Sequence, residues 1–531
     1  MPSAEEAAAQ RLGFAGVSNR QDIPPPTAEV ASGASDAAPG LPPRPGIATH
    51  YLRYSIANML LLVAGFISFP VLTRLLDNTQ YGIMGYFNTW VLVAVAVAKL
   101  GGQHAIIRFY PHDGDARQQA HFSTNFVTLP MLLSLSLWAV VAAALAGWQW
   151  SGRAEFSGVF WCVVLIIPVM VVVSIVQAVV RASERSGLLM TTKVTGRGME
   201  LALVLGLVIL IDRSALSVFG GRLIAATLLL GYFAYWASRN LSFSRRTIDL
   251  AATGGALMYG LPLMANEFAA MSLVAIDRVL LKEITDDYAT VGIYTIGYTL
   301  AMQVNLFMSA TLSEAFVPVV NRIYGGEGDV GVRALKGRVL LPMTYASLGV
   351  AAMIVAVGSD VLVALAGADK AASGAVFVAV GTVMALYPLL DISGYGLLLR
   401  KRSMLVFSLT AGAAVFNIAA NFVLIPIYGY MGAAWATVIS YVALSIAACL
   451  CCPRELRRFP DVRALGTAGG FALLLLAIVI YTDMFGLSGP WSRVFAGGAL
   501  FLGAYALPVL LLDPRLRANL PSWSWRKARA R

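Results

Sequence analysis

Fourteen apolar stretches, each about 17 to 28 residues long, follow one another along this chain with short polar links between them. A helix of about 20 apolar residues crosses the hydrocarbon core of a bilayer. Inside lipid every backbone donor and acceptor must be paired within the protein, so helices are the economical solution for stretches of this length. The predicted class is therefore an all-α polytopic membrane protein. The first six spans are read at 51–73, 82–103, 122–147, 157–180, 191–211 and 216–237. The next six are read at 255–281, 289–317, 338–358, 373–397, 404–425 and 430–450, followed by two more at 465–483 and 492–512. The fifth is the least apolar, because it opens with Lys193, Arg197 and Glu200.

Loop charges test this division. Thirty of the 39 Lys and Arg residues fall on one side if the N-terminus is cytoplasmic, which is the bias that sets orientation in membrane proteins. A wrong number of spans would scramble the alternation. The reading is therefore N-in and C-in, and it accounts for the net charge of +11 without a nucleic-acid partner. With 58% hydrophobic and 13% charged residues, the chain lies far from soluble composition. Its longest loop, including 321–337, is cytoplasmic, and no link is large enough to fold as a separate catalytic domain. Residues 1–48 are rich in Ala, Pro, Ser and Gly without helical periodicity and read as a disordered cytoplasmic segment. They lack the basic, apolar and small-residue order of a cleaved signal peptide.

A repeat links the two halves. Phe69-Pro-Val-Leu-Thr-Arg-Leu-Leu and, after a gap, Tyr81-Gly-Ile-Met-Gly-Tyr align with Val274-Ala-Ile-Asp-Arg-Val-Leu-Leu and Val291-Gly-Ile-Tyr-Thr-Ile-Gly-Tyr. Arg74 pairs with Arg278 and Gly82 with Gly292, and the second turn is six residues longer. An offset of six spans keeps both halves in one orientation, which implies a pseudo-two-fold axis along the membrane normal. The predicted organisation is a six-helix bundle at 49–240, a second at 241–452, two further spans at 453–513 and a basic cytoplasmic tail at 514–531.

Ionisable groups inside such spans are costly and carry a functional reading by default. They are Lys99, Arg197, Glu200, Arg222, Glu267, Asp277, Arg278, Glu314 and Asp391. Glu267 follows Pro262 within its span, the context of a carboxylate beside a broken helix. Lys99 has two readings, a site or a side chain snorkelling to the cytoplasmic face, and Asp277-Arg278 is a site or a local pair. Arg197 and Glu200, at i and i+3, read as a structural pair, and Asn417 and Asn421, at i and i+4, as amide links between helices. Soluble-enzyme motifs fail their context. Gly326-Glu-Gly-Asp-Val-Gly331 follows a membrane span and not a strand, and the chain has no GxxxxGK[ST]. The four cysteines, Cys162, Cys449, Cys451 and Cys452, have no metal-ligand spacing. The histidines lie at one membrane face without the i, i+4 spacing of a helical metal pair. No cofactor or metal is expected.

The segments LTRLLDNTQYGIMGY and LGGQHAIIRFYP resemble the opening of polysaccharide-unit flippases, the Wzx or polysaccharide-transporter branch of the multidrug/oligosaccharidyl-lipid/polysaccharide (MOP) exporter superfamily. YGLPLMANEFAAMSLVAIDRVLLKEI and FNIAANFVLIPIYGYMGAAWATVISY are similar to its later span signatures, and the likeness covers roughly residues 50–450. The resemblance implies two six-helix bundles around a central cavity in the bacterial inner membrane. The cargo it implies is an undecaprenyl-diphosphate-linked oligosaccharide passed from the cytoplasmic to the outer leaflet. Such a cargo calls for cations, assigned to Arg74, Lys99 and Arg278. It also calls for sugar contacts, assigned to Asn88, Trp90, Tyr294, Tyr298, Gln303 and Asn305. Glu267, Asp277 and Glu314 are the candidates for binding a coupling proton or Na⁺. The lipid II flippases of the same superfamily also have fourteen spans, and the likeness implies a lipid-tail groove or a partner surface for the last two here. Membrane lipids and the polymerase and chain-length proteins of the same pathway are the expected partners. The alternatives are a drug or cation antiporter of the superfamily, with an acidic cavity, and a polysaccharide polymerase or ligase, with a large external loop.

Overall fold

The computed structural model describes residues 47–112, 114–153, 155–482 and 486–519, with side chains from residue 59 onward apart from 61, 310–315 and 518–519. The predicted segment 1–48, except its last two residues, and the end of the tail lie outside the described residues. Every regular element described is helical. We number them α1 (Ile47–Leu75), α2 (Asn78–Ala98), α3 (Gly102–Phe109), α4 (Ala116–Trp150), α5 (Gly158–Ala182), α6 (Ser186–Leu210) and α7 (Ala215–Asn240). After a linker come α8 (Leu250–Thr285), α9 and α10, α11 (Ser373–Gly394), α12 (Ser403–Tyr428), α13 (Tyr430–Cys451), α14 (Val462–Thr482), α15 (Pro490–Leu512) and the short α16 (Pro514–Asn519).

Helices α9 and α10 form the helical run Tyr288–Ala366, broken only at Gly328 (φ 64°, ψ −150°), so α9 is 288–327 and α10 is 329–366. The loop expected over 321–337 is therefore helical on both sides of one glycine. Ile323, Tyr324, Val332 and Leu335 pack with Leu389 and Ile392 of the second bundle and with Leu456 of the link after α13, which extends both helices beyond their apolar cores. Twelve helical segments among the described residues are long and apolar enough to cross a membrane. The other two predicted spans fall on α1, whose apolar part is only Leu62–Leu75, and on the 25-residue α6, which carries three charges; both are helical but lie outside this set.

The packing repeats with the sequence. α6 lies against α1 and α7, and α5 against α7; in the second half α12 lies against α8 and α13, and α11 against α13. The halves cross where α2 meets α9, and the crossing is reciprocal. A Cβ on Gly82 would stand 1.8 Å from the Tyr288 carbonyl oxygen, and one on Gly292 would stand 1.8 Å from the Asn78 carbonyl oxygen. Asn78 and Tyr288 each lie four residues before their glycine, so each backbone fills the notch of the other. α2 and α9 also begin alike, with Asp77 capping Gln80 N and Asp287 capping Ala289 N and Thr290 N.

The linker between the bundles is fixed by a π-turn in α4 at Ser123–Thr128. There Asn125 Nδ2 donates to the Thr247 carbonyl (2.7 Å), and Asn125 Oδ1 accepts from Asp249 N (2.8 Å). The last two long helices pack on α10. Tyr345 donates its hydroxyl to Asp513 (2.8 Å), Tyr505 donates to the Tyr345 carbonyl (2.7 Å), and Arg493 pairs with Asp360 at 3.7 Å.

Candidate functional site

Three charged clusters among the described residues bear on a candidate site. The first is between the bundles, at a chamber of about 180 Å³ lined by α1, α2, α6, α7, α8 and α9. Arg278 reaches it from α8, with its guanidinium carbon 4.5 Å from the Tyr298 ring centre, a distance of cation–π contact. Arg197, Glu200 and Arg222 face it from the first bundle. Arg197 pairs with Glu200 at 3.0 Å, as its spacing predicts, but Arg222 shares the same oxygen at 3.1 Å and donates to Asn88 Oδ1 at 3.0 Å. Gln303 and Thr295 also line the chamber, and buried Gln303 Oε1 and Thr295 Oγ1 have no hydrogen-bond partner among the described residues. Lone buried acceptors of this kind suit a ligand or water.

The second cluster is the core of the second bundle. Asp277 is fully buried on α8. Its Oδ2 accepts from the Tyr294 hydroxyl and from Thr437 Oγ1, each at 2.6 Å, and its Oδ1 accepts from Asn421 Nδ2 at 2.8 Å. Asn421 also donates to Asn417, so four helices converge on one carboxylate. The third cluster joins the bundles at the far end of α2. Lys99 Nζ stands 2.7 Å from Glu267 Oε1, Gln103 donates to Oε2 at 2.6 Å, and His104 lies 3.8 Å from the same oxygen. Close beside them the α2–α3 corner meets α8 backbone to backbone, since a Cβ on Gly101 would fall 2.1 Å from the Gly260 carbonyl.

The residues read as one site are thus dispersed. Arg278, Asn88 and Gln303 line the interbundle chamber, Tyr298 stacks under Arg278, and Tyr294 holds Asp277. Lys99 and Glu267 pair with each other. Arg74 does not join Arg278: it donates to the carbonyls of Ala364 (2.7 Å) and Leu365 (2.9 Å) at the end of α10, where unpaired carbonyls and the helix dipole favour a cation. The second turn is not the longer one that the sequence suggested: two residues follow each of α1 and α8, and the six extra residues extend α8 itself. Arg74 is the penultimate residue of α1, whereas seven residues of α8 follow Arg278, about two turns. Trp90 is exposed on α2 beside Tyr86, and Asn305 accepts from Ser309 on α9; neither lines the chamber. The side chain of Glu314 lies outside the described residues. Sequence reasoning gave no role to Thr437 and left Arg222 unpartnered. Counting from helix starts exposes both, because Arg222 is the eighth residue of α7 and Thr437 the eighth of α13.

The family model for polysaccharide biosynthesis proteins matches residues 50–324, more than half of the chain. The chain belongs to that family. Among solved structures it is similar to the lipid II flippase MurJ in an inward closed conformation, with TM-score 0.66 and 11% identity over 86% of this chain and 98% of that one. It is also similar to an inward-facing MATE-family multidrug transporter of the MOP superfamily, with TM-score 0.52 and 15% identity over 82% and 99% of the two chains. A MATE transporter in complex with MaL6 gives TM-score 0.53 at 13% identity over 82% and 97%. No curated protein sequence matches the chain. The fold is thus that of MOP-superfamily membrane transporters, now carried by a chain of the polysaccharide biosynthesis family.

Proposed function

We propose that this protein is a flippase. It moves an undecaprenyl-diphosphate-linked oligosaccharide unit from the cytoplasmic to the outer leaflet of the bacterial inner membrane, with both termini cytoplasmic, for the synthesis of O-antigen, capsule or exopolysaccharide. The observation that carries this reading is the chamber between the bundles. Three arginines and one glutamate face it at membrane depth, in a chain of the polysaccharide biosynthesis family. A diphosphate is the ligand class that an excess of guanidinium donors favours, since charge-assisted N–H···O⁻ bonds are strong where water is scarce. Asn88, Gln303 and Thr295 supply the amide and hydroxyl partners that sugar hydroxyls need. The bundles at 49–240 and 241–452 rock about their crossing, and the pair at 453–513 lies beside the second.

The Asp277 core is the proposed coupling site. A buried carboxylate with two hydroxyls and an amide around it suits a proton or Na⁺, and its hydrogen bonds draw α8, α9, α12 and α13 together. An antiporter of the MATE type would favour an acidic cavity, and the interbundle chamber is basic instead.

The test is the pool of lipid-linked oligosaccharide, resolved by leaflet, in a strain lacking this gene and complemented in turn with wild type, Arg278→Ala and Arg278→Lys. Build-up in the cytoplasmic leaflet, relieved by wild type and by Lys better than Ala, is the expected result. Normal arrival in the outer leaflet without polymerisation would overturn the flippase reading in favour of a polymerase. No change in either pool would favour a small-molecule antiporter.

A further inference from the structure

A second chamber, of about 460 Å³, lies wholly inside the first bundle between α2, α5, α6 and α7. It shares Asn88, Arg197, Glu200 and Arg222 with the chamber between the bundles, so this charged cluster forms the partition between the two. Beyond the partition the larger chamber has a further cation, Lys193, one turn before Arg197 on the same face of α6. Lys193 has no hydrogen-bond or ion-pair partner among the described residues. Three cations thus face one carboxylate, an excess of two positive charges within the spans. Such charge is expensive in a bilayer unless an anion compensates it. The opposite wall is mostly apolar, with Val91 and Val95 of α2, Ile166 and Met170 of α5, and Phe219 and Leu229 of α7, interrupted on α5 by Ser174 and Gln177.

A cationic row facing an apolar wall is the complement of an amphiphile with an anionic head. We propose that this chamber is a separate receiving site for the phosphate head and first isoprene units of a polyprenyl phosphate-type lipid. Lys193 and Arg197 hold the phosphate before it passes the Glu200–Arg222 partition to Arg278. The proposal rests on the flippase reading for its ligand class and adds a site that this reading does not need. Lys193, Arg197, Arg222 and Arg278 then form an ordered series, from the end of α6 predicted to be cytoplasmic to the chamber between the bundles. Glu200, which holds both Arg197 and Arg222, is the counter-ion that the arriving phosphate displaces.

The experiment places the full-length protein in nanodiscs and counts the undecaprenyl phosphate molecules it retains, by native mass spectrometry across a titration. Wild type is expected to retain two. Lys193→Gln should lose one of them, with that step weakened by about tenfold, as expected for loss of a charge-assisted contact. Lys193→Arg should keep both, which separates charge from folding, and Arg278→Gln should lose the other. If Lys193→Gln retains two while Arg278→Gln loses one, the receiving site is refuted and the flippase reading stands. If wild type retains none, both fall. If inorganic pyrophosphate binds in a Lys193-dependent way and undecaprenyl phosphate does not, the site serves a free anion and the lipid assignment is overturned.

Discussion

The two bundles are built alike and filled differently. The fifteenth residue of α6 is Glu200 and that of α12 is Asn417; the eighth of α7 is Arg222 and that of α13 is Thr437; the eleventh of α2 is Asn88 and that of α9 is Tyr298. In the first bundle all three positions line chambers, and two of them carry charge. In the second, Asn417 and Thr437 belong to a network closed on Asp277, and Tyr298 lies buried beneath Arg278. At these positions one helix arrangement therefore supports a hollow basic interior and a packed acidic one, and the space the second bundle keeps, about 140 Å³ beside Asp391, lies elsewhere. The backbone repeat constrains where polar positions fall, and the residue types at those positions decide whether the space closes. A division of labour follows from the proposed function, with cargo handled by the hollow bundle and the ion by the packed one.

That contrast is open to direct attack. Asp277→Ala leaves the Tyr294, Thr437 and Asn421 donors without their acceptor in a dry core, and should cost about 3 kcal/mol in thermal unfolding in detergent. Glu200→Ala, beside a chamber and about a quarter exposed, should cost about 1 kcal/mol in the same assay. Equal losses would mean that the two interiors are not different in kind. Next in size, Gly82→Ala and Gly292→Ala each force a methyl into the facing backbone and should cost about 2 kcal/mol. The double variant should lose less than the sum, because both open the same crossing; simple additivity would show two independent contacts. Asp77→Ala and Asp287→Ala, the matched caps of α2 and α9, should each cost about 1 kcal/mol. A large inequality between them would break the symmetry of the two corners.

The smallest expected effect is in the linker. Asp249 caps α8, and the Ala252 backbone N–H holds its carboxyl below the ordinary range; slight desolvation of this exposed group opposes this, and Ala251 and His121 add to it. A depressed folded-state pKa means that the stabilisation is complete above the ordinary carboxylate range and is lost as pH falls through the depressed value. Asp249→Asn keeps a capping oxygen but cannot titrate, so its acid unfolding profile should be flatter than wild type below about pH 4. Superimposable profiles would remove Asp249 from the acid response.

Nearly all of the helix inventory was legible, because span length and loop charge report the same thing twice. The exceptions are instructive. The link at 321–337 looked like a loop because it is polar, yet Val332 and Leu335 give it a buried face and only Gly328 leaves the helix. Site residues were legible as charges in the wrong solvent but not as partners. Lys99 and Glu267 stand 168 positions apart, and nothing local in either sequence announces the pair. Arg74 and Arg278 share a motif, and six extra residues of helix after Arg278 separate a helix-end cap from a chamber wall. Polar positions that match between the bundles, such as Arg222 and Thr437, emerge only when each helix is counted from its own start.

The close crossing at Gly82 and Gly292 has a mechanical consequence. With no side chain between the two backbones, the bundles share a fulcrum near one end of α2, and the rest of that helix is a lever whose far end rests, just past it, on Gly260 through Gly101. Its 21 residues reach about 30 Å at 1.5 Å per residue. A tilt of roughly 10° at Gly82 would then swing Lys99, about 25 Å along the helix where it meets Glu267, through about 4 Å on that same rise per residue. A rotation too small to disturb packing at the pivot is enough to part an ion pair at the tip.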